Sequence, residues 1–125
     1  MYFHFAFLGD ESQWAAEAAE CAGEQDAFWD YYDYLFSHQN GENQGAFSQD
    51  NLKSFAADMD LDTDDFNECL DSGRYTTLVQ NMTTIARQIG IQSTPTFAIN
   101  GQGVVGAKDF TEFSAIIDEL LAAQP

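Results

Sequence analysis

Basic residues are nearly missing from this chain: four Lys and Arg stand against 21 Asp and Glu in 125 residues, a formal charge of −17 with a pI near 4.1. Such a surface repels phosphate backbones and anionic lipid, so no nucleic-acid or membrane-surface binding is expected. Long apolar runs are missing too, and none approaches the ~18 residues of a membrane span. The opening residues Met1 to Asp10 lack the basic lead and small-residue cleavage site of a signal peptide, so an export signal is expected to be absent or already removed. Cysteine occurs twice, at Cys21 and Cys69, 48 positions apart, so no Cys-x-x-Cys is present in this sequence. Neither thiol has the nearby resolving partner that local thiol exchange requires.

What is present argues for a packed fold. Apolar residues make up 45% of the chain and include 11 Phe, 5 Tyr and 2 Trp. A chain of this length is expected to form one domain, residues 1–125, burying roughly two thirds of its unfolded surface. Tyr2 to Leu8 is apolar or aromatic at almost every position, which predicts a strand buried on both faces. From Trp14 onward, Ala18, Cys21, Phe28, Tyr32 and Leu35 follow a helical rhythm, with Gly23 expected to divide it into two helices. Asn40 to Ser48 reads as a polar loop, after which Ser48 and either Asp62 or Thr63 can cap two further helices. Tyr75, Leu78, Met82, Ile85 and Ile89 form the next stripe, closed by Gly90. Thr96 to Ile99 and Val104 to Gly106 are predicted strands around an Asn100-Gly101-Gln102-Gly103 turn. Asp109 and Glu112 resemble a capping box for a last helix with Phe110, Phe113, Ile117, Leu120 and Leu121 inward.

Few residues invite a chemical reading. His4 lies in the opening strand and His38 at a helix end, with no clustered Cys or Asp partner, so no metal is expected at either. Asp58, Asp60, Asp62, Asp64 and Asp65 are spaced somewhat like a calcium loop, but the central Gly and the Glu at its twelfth position are absent. Trp14, Phe28, Trp29, Tyr31, Tyr32 and Phe36 have helical spacing and are expected to be core rather than a cofactor box; no cofactor is expected. Cys21 and Cys69 sit on predicted helical faces beside Ala, Leu or Phe, as buried structural cysteines do.

The stretch Gly90-Ile91-Gln92-Ser93-Thr94-Pro95-Thr96-Phe97-Ala98-Ile99-Asn100-Gly101 is the most specific of the chain. A proline without an N–H belongs at the first residue or the edge of a strand, and a cis bond is affordable only before proline. This stretch is similar to the cis-proline loop of thioredoxin folds. Taken with the Ala-rich helix Ala15 to Ala22, the aromatic helix Gln25 to Phe36, Phe66 to Tyr75 and Thr94 to Ala107, the chain resembles the DsbA-like thiol-disulfide oxidoreductases. The resemblance implies an α/β thioredoxin-like fold with a helical insertion at about 12–89, a cis Thr94-Pro95 bond, and Thr94 and Pro95 lining a groove for protein or peptide substrates. It also implies a structural disulfide between Cys21 and Cys69, worth roughly 4 kcal/mol by loop closure; two inert free thiols are the alternative. By family pattern the first strand, the Cys-x-x-Cys and its helix would all precede Met1. The sheet then lacks a central strand, and direct pairing of the remaining strands, a strand from another copy or an N-terminal segment could fill the gap; self-association into a homo-oligomer is expected. The resemblance further implies an extracytoplasmic setting. Two functions stay open: a DsbA-like domain inactive without its redox motif, or a redox-silent interaction module on the same scaffold.

Overall fold

The computed structural model describes residues 1–124, which form six helices and two strands. Two compact units divide the chain, Met1–Ala86 and a second that begins at Arg87. The first holds α1 (Asp10–Gly23), α2 (Phe28–Ser37), α3 (Gln49–Asp58), α4 (Thr63–Asp71) and most of α5 (Thr76–Gln88). The second holds β1 (Thr96–Ile99), β2 (Gln102–Val105) and α6 (Phe110–Ala122). Helices inserted ahead of a proline-led hairpin and a closing helix give a thioredoxin-like fold.

In the first unit α1 is the hub, because its buried face is made of small residues. Ala18, Ala19, Cys21 and Ala22 let α2, α3 and α4 approach closely, and Tyr31, Leu52, Phe66 and Leu70 fill the space between them. Three helix starts are fixed locally. Ser48 accepts the Asn51 N–H at 3.2 Å, Asp62 the Asp65 N–H at 3.1 Å and Asp109 the Glu112 N–H at 2.9 Å, the last closing a reciprocal capping box. Helix α1 differs, because Gly9 precedes it and offers no side chain. Asn43, from the polar loop, replaces it: its Oδ1 accepts the Glu11 N–H at 3.3 Å and its Nδ2 donates to the Leu8 carbonyl at 2.8 Å. Gly9 has φ 110°, and a Cβ there would run into the Asn43 carboxamide.

Tyr31 is fully buried and its hydroxyl donates to the Leu52 carbonyl at 2.8 Å. Burial pushes this phenol well above its ordinary value, with a smaller push from Tyr34. A folded-state value raised above the unfolded one stabilises the fold below the unfolded value and loses that contribution as pH rises through the folded one. The protein is therefore expected to lose stability once pH passes about 10, where unfolded tyrosine ionises. Urea midpoints measured across the alkaline range check this, and Tyr31→Phe should flatten the dependence.

Four expectations are corrected. Tyr2 to Leu8 is not a strand: among the described residues the sheet has two strands, β1 and β2, and the opening segment pairs with neither. Its Ala6 N–H is spent on Thr83 Oγ1 at 2.9 Å, His4 alone of residues 2–8 is buried, and the aromatic run packs by side chains, with Tyr2 edge-on to Phe28, Trp29 and Tyr32. The hairpin turn is the two residues Asn100 and Gly101 rather than four, so β2 begins at Gln102, directly opposite Ile99. Both have positive φ, 49° and 83°, as a tight hairpin turn with the sheet's own twist requires. Helix α5 buries Val79, Thr83 and Ala86, while Leu78, Ile85 and Ile89 face solvent. Helix α6 buries no residue, because two four-residue strands offer too little surface to cover it; Phe113 packs edge-on to Phe97, but Phe110 is 85% exposed.

Candidate functional site

Cys21 on α1 and Cys69 on α4 are joined in a disulfide with a Cα separation of 5.9 Å, and each is 1% exposed. No cysteine among the described residues is free. The bridge lies inside the helical core, where Ala18, Ala22, Phe66 and Leu70 exclude solvent. Nothing in its setting resembles the partially exposed, electropositive site that makes a cysteine reactive.

Thr94 and Pro95 lie in the second unit and are joined by a cis peptide bond. Both are exposed. The loop is held from within: the Gly106 N–H donates to the Pro95 carbonyl at 2.8 Å, and Thr96 Oγ1 donates to the Ser93 carbonyl at 2.7 Å. These bonds hold Pro95, the residue before β1, in an exposed loop with its carbonyl turned toward Gly106. The cysteine pair and the proline loop belong to different units.

The histidines are engaged elsewhere. His4 Nε2 lies 2.7 Å from Glu20 Oε1, and His38 stacks on Tyr34 with its Nδ1 2.8 Å from the Tyr34 carbonyl oxygen. The aspartates of the 58–65 stretch are dispersed: Asp58 accepts the Tyr34 hydroxyl, and Asp62 caps α4. Among the described residues no three His, Cys, Asp or Glu side chains converge as a metal-holding group. The aromatic helix is a mixed case. Tyr31 is core, whereas Trp29 is 59% exposed and Phe36 is also exposed, so the expectation that all six aromatics are core is corrected. Trp14 lies on α1 and the other five on α2, and helical spacing does not say that a single helix of ten residues, FWDYYDYLFS, carries aromatics on every side.

Both bases of the first unit are paired. Lys53 meets Asp71 at 2.6 Å, and Arg74 meets Glu24 at 2.6 Å, where the Tyr75 hydroxyl also donates to Glu24. The Arg74 hydrogen bond, followed by that from Tyr75, holds the Glu24 carboxyl below the usual carboxylate range. Glu17, buried on α1, is hydrogen-bonded by the Thr76 hydroxyl and by Gln13 Nε2. The long-range contacts were not legible from spacing, since Thr76 lies 59 residues from Glu17, and Arg74 and Tyr75 lie 50 and 51 from Glu24.

A proline-led antiparallel hairpin, a closing helix after it and a helical lobe before it define a protein of the thioredoxin-like class. The chain belongs to the thioredoxin family, whose model matches residues 1–119. It is similar to the thiol-disulfide exchange protein alpha-DsbA2 of Wolbachia pipientis, with a TM-score of 0.80 and 25% identity over 96% of this chain and 64% of that one. It is 25% identical to the probable disulfide bond formation protein D of Bacillus anthracis, over 97% of this chain and 57% of that protein. It is also 37% identical over 111 residues to the Na(+)/H(+) antiporter NhaA 1 of Salinispora arenicola, covering 89% of this chain and 16% of the antiporter. The chain thus spans about a sixth of that antiporter's length and little more than half of the disulfide protein's.

Proposed function

We propose that these residues are a DsbA-like thioredoxin scaffold that carries out no thiol exchange by itself and acts by holding an extended polypeptide beside Thr94 and Pro95. The observation that carries this reading is the state of its cysteines: both are buried in one core disulfide, which leaves no thiolate to attack a substrate. The exposed proline loop supports the binding half, by resemblance to the family's substrate groove. The test is insulin reduction by dithiothreitol. No acceleration over dithiothreitol alone is expected, for the protein or for Cys21→Ser. Acceleration that Cys21→Ser abolishes would overturn the reading.

The antiporter relative favours a second reading, a thioredoxin-like module that accompanies a sodium/proton antiporter, because its identity to this chain exceeds that of the disulfide proteins. Its test is binding of this chain to the Salinispora arenicola antiporter from which the matching segment has been deleted. Saturable binding supports this reading, and none at roughly tens of micromolar removes it.

A further inference from the structure

The charge of this chain is distributed very unevenly. Seventeen of its 21 acidic residues lie between Asp10 and Asp71, and the next is Asp109. Residues 88–107, which include the whole β1–β2 hairpin, carry no charge of either sign. In a protein of net charge −17, that neutral window coincides with backbone that has no partner: among the described residues the sheet is β1 and β2 alone, so each strand has one unpaired edge. On the outer edge of β2 the free groups are the N–H and C=O of Gly103 and Val105, because the bond from the Gly106 N–H to the Pro95 carbonyl sets the alternation that turns Gln102, Val104 and Gly106 toward β1. This strand, Gln-Gly-Val-Val, has neither the charge nor the proline that usually blunts an edge. Its Val105 is 62% exposed, a side chain without a neighbour beside groups without partners.

We propose that the outer edge of β2 is a docking site for an extended partner segment with an apolar strand core and basic flanks, distinct from the loop at Thr94 and Pro95. The neutral edge selects the core, since interface centres are depleted of charge and strand addition is driven by main-chain hydrogen bonds with alternate side chains in contact. The rest of the chain selects the flanks. Its large negative charge steers basic segments toward the protein and repels acidic ones, and a second copy of this chain brings another −17. Charge therefore favours a basic partner over self-association at this edge.

The experiment uses the full chain and a fluorescent probe peptide, Lys-Lys-Thr-Val-Ile-Val-Lys-Lys, with two controls: the same core flanked by Glu, and a peptide of equal charge with proline at alternate core positions. Anisotropy and amide hydrogen exchange are read at about 50 and 300 mM salt, across which screening weakens steering. The basic probe is expected to bind at least ten times more tightly than either control, to weaken at the higher salt, and to protect the outward amides of Gly103 and Val105. Val105→Ser should reduce its affinity severalfold, and Val105→Asp should disrupt the neutral edge without touching the helical core. Binding of the proline control as tight as that of the probe, or protection confined to the first unit, would mean adventitious attraction of any cation and would overturn the proposal. Protection of β2 that grows with protein concentration and salt, without peptide, would identify a second copy as the occupant and overturn it equally.

Discussion

Opening the Cys21–Cys69 bridge lowers the stability of the helical unit by about 4 kcal/mol, the loop-closure value for a link 48 residues long. The expected result is a large drop in urea midpoint for the Cys21→Ala/Cys69→Ala protein, and a fall of more than about 10 °C in thermal midpoint for a chain of this size. The bond joins α1 to α4, the two helices between which the polar loop, α2 and α3 are strung. Its loss frees the longest excursion of the first unit in the unfolded state. A loss below about 1 kcal/mol would show that the unfolded chain is already constrained by other means.

Phe66→Ala is the second large effect, at about 3–5 kcal/mol. The Phe66 ring is fully buried on α4 and packs at 5.5 Å, tilted, against Tyr31 of α2, beside the cysteine pair. Removing it leaves a cavity that a neighbourhood of alanines, Ala18, Ala22 and Ala56, has no spare atoms to fill. Chemical denaturation measures the loss, and Phe66→Leu should restore most of it because it keeps most of the volume. Equal losses for Ala and Leu would mean that ring contact with Tyr31, rather than volume, dominates.

The sequence made local devices legible and distant ones illegible. Ser48, Asp62 and Asp109 cap helices through N–H groups three residues away, so their chemistry is visible in a short window. Asn43 performs the same task for α1 from 32 positions downstream and gives no local signal. Apolar runs were the other source of error. Tyr2 to Leu8 has the composition of a buried strand, but composition does not supply a hydrogen-bonded neighbour, and among the described residues no strand pairs with it. Along α5 the stripe Leu78, Ile85 and Ile89 has the helical period, yet Val79, Thr83 and Ala86 one step around are buried. Periodicity defines faces; tertiary packing decides which of them is covered. For the site, the proline loop was readable from Thr94 and Pro95 because it is contiguous. The neutral β2 edge appears only when burial and pairing are set beside charge.

The Asn100-Gly101 turn has a consequence for the lifetime of this surface. An asparagine followed by glycine is the step most open to slow loss of the side-chain amide, because the glycine nitrogen meets no side chain as it closes on the Asn carbonyl. Asn100 is exposed at the tip of the hairpin and holds φ 49°, a conformation that aspartate also tolerates, so the aspartate product can keep the turn, whereas the isoaspartate product lengthens the backbone there. The change would write the first negative charge into a twenty-residue stretch that has none, two residues before β2 begins. Each such event would move the neutral hairpin a step toward the acidity of the rest of the chain.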